Sequence, residues 1–155
     1  MPTTTRKYRK RHKPLLTFTS SVPWKPRGKN DPMMVGYVRV STSFQNTQRQ
    51  VDDLVKAGVN PIDIFGDTAS GKDMDRPGWR ACVRDLQEGD VLVIHSLDRL
   101  SRDTVDTMLT LKRLSDTGVR LKVLTLDFDS NTPMGRFVFT FMSGYAQFER
   151  DIINL

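Results

Sequence analysis

A chain of 155 residues, 37% hydrophobic and 27% charged, suffices for one domain with a sizeable core and has the composition of an ordinary globular protein. Its one cysteine, Cys82, excludes an intramolecular disulfide and any multi-cysteine metal centre, and fits a reducing compartment. The net charge of +6 is uneven: residues 1–32 hold nine Lys/Arg against one acid, leaving about −2 for residues 33–155, so the basicity belongs to the N-terminal segment.

That segment contains Arg6-Lys7, Arg9-Lys10-Arg11 and five prolines. With few core formers it is expected to remain a disordered basic tail, able at most to graze phosphates. It carries no signal-peptide hydrophobic region. Met33 and Met34 stand just before the first strand, which leaves open a translation start there. The longest apolar stretch, Phe137 to Phe148, is too short to span a bilayer, so a cytoplasmic location is expected.

Met34 to Ser41 reads as a strand, with valines alternating against Tyr37, Arg39 and Ser41 on the opposite face. Ser41 falls where the strand runs out, at the carboxyl edge where ligands bind in open α/β sheets. A serine there is either the N-cap of the next helix or a nucleophile beside a phosphate anchor. Val51, Leu54 and Val55 predict a helix from Gln45 to Ala57, stopped by Gly58. Pro61 to Phe65 reads as a short strand, Gly66 to Asp75 as a polar loop, and Pro77 opens a helix running to about Leu86. Gly89-Asp90 turns the chain into Val91-Leu92-Val93-Ile94, a strand buried on both faces.

A helix is expected from Asp103 to Ser115, a strand from Val119 to Leu126, and a loop from Asp127 to Pro133. From Met134 to the chain end, Met134, Phe137, Val138, Phe141, Tyr145, Phe148 and Ile152 recur at helical spacing. If helical throughout, this element is about 33 Å long. It is apolar on more than one side, so it is either a core helix of a monomer or one that meets a second subunit. Alternating strands and helices predict an α/β fold: a mostly parallel, doubly wound sheet with a long C-terminal helix.

Cationic groups gather beside the strand ends. Arg99 and Arg102 follow the buried strand and share one side of a helical turn, unless they simply start a surface helix with Asp98 as its cap. Arg76 sits in a loop able to close over a ligand, or else faces solvent. His12 and His95 are the only histidines, which gives a Ser-His pair little support. The acids Asp73, Asp75, Asp127 and Asp129 read as turn residues and form no ligand cluster.

In order and at similar spacing, these segments resemble the catalytic domain of the serine recombinases, the resolvase and invertase family. The resemblance covers residues 34–155. It rests on Gly36-Tyr37-Val38-Arg39-Val40-Ser41-Thr42, Ser70-Gly71, Asp75-Arg76-Pro77-Gly78, Gly89-Asp90, Leu97-Asp98-Arg99-Leu100-Ser101-Arg102, Met134-Gly135 and Ala146-Gln147-Phe148-Glu149-Arg150. It implies a resolvase-like catalytic domain over residues 33–155, cut short in a long dimerisation helix. Ser41 would attack a DNA phosphodiester to form a 5′-phosphoserine link, with Arg39, Arg76, Arg99 and Arg102 around the phosphate.

By the same resemblance, Asp98 orients the arginines and Arg102 can donate a proton to the leaving oxygen. Gln45 and Gln50 support the loop after Ser41, while Glu149 and Arg150 bear on assembly. No metal, nucleotide or other cofactor is implied. The implied partners are DNA, a second copy in a homodimer and a tetramer in the synaptic complex, in a bacterial cytoplasm and at the nucleoid when bound.

Two departures stand out. Asp85 occupies a position often basic in the family, and the chain stops soon after Glu149, without the helix-turn-helix domain that usually reads the major groove. A domain of slightly negative charge should bind DNA weakly by itself. An alternative therefore stands beside the enzyme: a catalytically silent, truncated module that pairs with full-length recombinase subunits. An unrelated flavodoxin-like binding protein is disfavoured, because no phosphate-cradling glycine loop follows the first strand.

Overall fold

A computed structural model describes residues 13–14, 16–26, 28, 31–40, 44–68, 76–96, 112–126 and 128–154. Strand β1 (Met34–Val40) lies inside a five-stranded sheet with β2 (Ile64–Thr68), β3 (Val91–Ile94), β4 (Arg120–Val123) and β5 (Phe128–Asp129), in the order β2-β1-β3-β4-β5. The first four are parallel to their neighbours and β5 is antiparallel to β4. This is the mostly parallel, doubly wound α/β sheet expected.

The period-2 alternation of the strands divides the core between two faces. Val35, Tyr37, Phe65, Leu92, Ile94, Leu121 and Val123 pack on one side, with Ala81 and Cys82. Met34, Val38, Ile64, Val91 and Val93 pack on the other, with Val51, Leu54, Val55 and Val59. Helix α1 (Phe44–Lys56) supplies that second face because its apolar positions fall on one stripe. It stops where Gly58 takes φ 116°, with the Gly58 N–H bonded to Val55 O and the Val59 N–H to Leu54 O. Helix α2 (Pro77–Arg84) covers the first face, and residues 112–116 form the described end of α3, followed by Gly118.

Several boundaries differ from expectation. Pro61–Asp63 is a turn of 3-10 helix capped by Asn60, whose side chain accepts from the Ile62 N–H. The strand is Ile64–Thr68 instead, so Gly66 and Asp67 belong to the sheet and not to a loop. Pairing with β1 outweighs their turn-forming character. Beyond β4 the chain turns through Leu124–Leu126, and Phe128–Asp129 pairs back onto Lys122 and Val123. Asp129 is there an ion-pair partner of Arg120, and the helix from Pro77 ends at Arg84, short of Leu86.

The N-terminal segment corrects another expectation. Phe18, Val22 and Trp24 pack against the α1 side of the core. They cannot build a core of their own, yet they are ordered by lying on one that already exists.

Helix α4 (Pro133–Ile153) opens on Thr132, whose hydroxyl accepts from the Gly135 N–H at 3.0 Å, with proline at its first position. Its inward residues include Gly135, Phe139 and Ser143. Met134, Phe137, Phe141, Tyr145, Phe148 and Ile152 point outward and are 52–70% exposed. The stripe that predicted the helix is therefore its outer face. No described helix is long and apolar enough to cross a membrane.

Candidate active site

The carboxyl end of the sheet gathers the charged groups. Asp67 is the cross-strand partner of Arg39, and both are buried, at 9% and 4% exposure. The Asp67 carboxylate accepts three hydrogen bonds: from the Tyr37 phenol at 2.7 Å, the Gly78 N–H at 2.7 Å and the Trp79 N–H at 2.8 Å. The last two are orphan donors in the first turn of α2, where Arg76 makes no side-chain cap. The capping acceptor thus comes from the neighbouring strand, and its negative charge meets the positive end of the helix dipole.

This cap requires α2 to start very close to β2. A Cβ at Gly78 would fall 2.0 Å from Gly66 O, so only glycine permits the approach. Arg76, one residue ahead of the helix, is thereby carried over Tyr37. Its Nη2 donates to the Tyr37 oxygen at 3.3 Å, and its guanidinium carbon lies 5.5 Å from the Tyr37 ring and 5.3 Å from the Trp79 ring, within cation–π range. The two rings meet edge to face at 5.1 Å. Burial first, and the bond to Asp67 second, push the Tyr37 phenol well above its ordinary 10.0, against a smaller opposing pull from Arg76. The hydroxyl therefore stays protonated, donating to Asp67 while accepting from Arg76.

From the other face, Gln50 on α1 is 1% exposed. Its amide donates to Arg39 O at 3.2 Å, and more weakly to Asn46 O at 3.4 Å. This ties α1 to the end of β1. Near the end of β3, the His95 ring nitrogen lies 3.1 Å from Asp53 Oδ2, joining α1 to the strand that leads toward residue 97.

Of the residues singled out in the sequence, Gln50 reaches the Arg39 backbone from one face of the sheet and Arg76 lies on Tyr37 on the other. Gln45 is exposed at the start of α1. Glu149 and Arg150 sit in the last turns of α4, where Glu149 accepts from the Tyr145 hydroxyl at 2.6 Å. No described contact joins them to the Tyr37–Asp67–Arg76 group. Ser41, Asp98, Arg99 and Arg102 lie outside the described residues. Asp67 is the residue sequence reasoning passed over: within Gly66-Asp67-Thr68 its type signals a turn, and only the pairing with Arg39 shows it to be a buried acceptor. Among the described residues, no group of three His, Cys, Asp or Glu side chains is placed to hold a metal ion.

Fold and site define a doubly wound α/β domain with a buried Arg39, a half-buried Arg76 and a buried Asp67 toward the carboxyl end of the sheet. Residues 34–155 match the family model described as the N-terminal domain of resolvase. The chain is 45% identical over 121 residues to a DNA-invertase of Enterobacteria phage P7, covering 78% of this chain and 64% of that protein. It is 43% identical over 121 residues to the serine recombinase gin of Escherichia phage Mu, covering 78% and 62%. The crystal structure of the N-terminal catalytic domain of TP901-1 integrase is similar with a TM-score of 0.62 and 25% identity, over 77% of this chain and 98% of that one. The chain belongs to the resolvase family of serine recombinases. It spans a little under two thirds of the length of these two relatives.

Proposed function

We propose that this domain carries out site-specific DNA recombination, with Ser41 as the nucleophile. Its oxygen attacks a backbone phosphorus, the Ser41–phosphorus bond forms as the bond to the 3′-oxygen breaks, and the leaving oxygen takes up a proton. The 5′-phosphoserine ester holds the cut end until a 3′-hydroxyl of the exchanged strand attacks in reverse. One phosphate ester replaces another, so rejoining needs no external energy donor.

The observation that carries this reading is the seating of Arg76 on Tyr37 and Trp79, with Tyr37 held in turn by Asp67, beside the strand that leads directly into Ser41. A serine hydroxyl is a weak nucleophile, and the domain answers by fixing guanidinium groups where charge builds on the phosphate oxygens. Arg39 and Arg76 supply two of them, and Arg99 and Arg102 complete the set, with Asp98 orienting them and Arg102 protonating the leaving oxygen. Gln50 holds the backbone of Arg39, and Gln45 supports the same loop. The exposed apolar stripe of α4, with Glu149 and Arg150 near its end, serves pairing into a dimer and then a tetramer around two DNA sites. The place of action is the bacterial nucleoid.

The test uses a nicked duplex carrying the recombination site recovered from DNA flanking the gene. A covalent protein–DNA adduct is expected with the unaltered chain and none with Ser41→Ala. Arg76→Lys should slow adduct formation by about a hundredfold to a thousandfold while the fold persists. An adduct that survives Ser41→Ala would defeat the proposal.

A further inference from the structure

Asp67 and Arg76 lie on the same small group of side chains without pairing. The three described donors to the Asp67 carboxylate are the Tyr37 phenol and the Gly78 and Trp79 N–H groups. Among the described residues no carboxylate pairs with the Arg76 guanidinium. Its described side-chain hydrogen bond runs from Nη2 to the Tyr37 oxygen at 3.3 Å, at the long end for an N–H donor, and its Nε is buried without an acceptor.

Two aromatic rings seat the group instead, with the guanidinium carbon 5.5 Å from the centre of Tyr37 and 5.3 Å from that of Trp79. Of the two, Trp79 offers the stronger face, because indole attracts a cation more than a phenol ring does. Trp79 is itself fixed from three sides. Its N–H donates to Asp67 Oδ2 at 2.8 Å, its ring meets Tyr37 at 74° with centres 5.1 Å apart, and it packs against the core cluster that holds Tyr37, Phe65 and Leu92.

Arg76 has no such support from its own backbone. It stands just outside α2, at φ −121° and ψ 76°, and makes no side-chain cap. A long side chain so placed keeps most of its rotamer freedom, and the indole three residues further on removes it. The manner of holding also matters. A carboxylate would take the N–H fork of the guanidinium, whereas a ring holds its face and leaves edge donors for an incoming anion. Strand alternation puts Tyr37 and Arg39 on one face of β1, so the seat keeps Arg76 on the face that Arg39 shares.

We infer that Trp79 is a positioning residue of the site: its indole face fixes the Arg76 guanidinium while leaving N–H donors available to a DNA phosphodiester. The inference rests on the reading of the domain as a DNA recombinase. Trp79 touches no reacting atom and acts through Arg76.

The experiment uses the full chain and a nicked duplex carrying the recombination site at saturating concentration, and follows the rate of covalent adduct formation. Trp79→Leu keeps an apolar side chain and removes the π face, so the rate is expected to fall about fivefold to thirtyfold; Trp79→Phe, with a weaker face, should recover part of it. Tryptophans bearing one, two and three ring fluorines, placed at position 79 alone, keep nearly the same shape while drawing charge from the face. The logarithm of the rate should fall stepwise along that series. A purely structural role would not respond to it, and the series stands in for Trp79→Leu should that variant unfold. Arg76→Ala and Arg76→Ala/Trp79→Leu should react at rates within about twofold of each other, since the indole has nothing left to act through. Without DNA, ring current should move the Arg76 Cδ protons upfield in the NMR spectrum of the unaltered chain, and Trp79→Leu should remove part of that shift.

A flat fluorine series overturns the inference, as do losses that add in the double variant or Arg76 protons indifferent to Trp79→Leu. A Ser41-dependent adduct with a flat series defeats the role of Trp79 alone. A graded series in which Ser41→Ala reacts as fast as the unaltered chain defeats the nucleophile assignment alone and leaves that role standing.

Discussion

The Tyr37–Asp67–Arg76 group and the outer face of α4 are built on opposite principles. The first puts polar atoms inside the domain and gives the Asp67 carboxylate three donors, because a buried charge is tolerated only when hydrogen-bonded. The second leaves six large apolar side chains of one helix in water. One region is complete within a single chain, so substitutions there should act on fold and chemistry. The other exposes a continuous apolar stripe, and on the proposed reading of α4 as a pairing helix substitutions there should act on assembly.

The largest effect tests the first region. Asp67→Ala strands the Tyr37 hydroxyl and the Gly78 and Trp79 amides; at about 1–3 kcal/mol for each buried donor left unsatisfied, the domain should lose at least about 3 kcal/mol in urea unfolding. A loss under 1 kcal/mol would show that the group is not the brace described here. The contrast is sharpened on α4 by comparing Phe139→Ala with Phe141→Ala. Phe139 is 8% exposed and Phe141 67%, so truncating the first should cost about 3 kcal/mol and the second under about 0.5 kcal/mol. Sedimentation velocity should show the reverse order, with Phe141→Ala weakening self-association more. Equal effects on stability would erase the distinction between inner and outer face.

The smallest effect concerns an ion pair away from both regions. Arg120 hydrogen-bonds Asp129 and holds its carboxyl below the ordinary 3.8. A depressed carboxylate contributes stability that is present above its unfolded value and lost as pH falls through the folded one. Stability should therefore decline below about pH 4 less steeply in Asp129→Asn than in the unaltered chain. Partial exposure keeps the difference under about 1 kcal/mol, measured by urea unfolding from pH 5 to pH 2.

Much of the domain was legible because its signals are local. The alternation in Met34–Val40, the apolar run Val91–Ile94 and the stripe on α1 each name an element without reference to the rest of the chain. Arg39 and Arg76 were legible as candidates through the order and spacing of the motifs around them. Asp67 was not, since an aspartate after glycine signals a turn until β1 pairs beside it. Phe139 escaped for a related reason: periodicity locates an apolar stripe on α4 without saying whether it faces the sheet or the solvent. Phe18, Val22 and Trp24 are too few to form a core, and composition alone cannot reveal that they join another one.

The sequence by itself determined the strand and helix succession, the parallel sheet and the cationic character of the strand ends, because period and residue type act over a few neighbours. The tertiary structure decided that Asp67 of β2 caps α2, that the apolar stripe of α4 faces outward, and that Phe18, Val22 and Trp24 lie on the α1 side of the core. Those outcomes depend on which surfaces meet beyond the immediate neighbours in the chain, where hydrogen-bond satisfaction and apolar burial outweigh local preference.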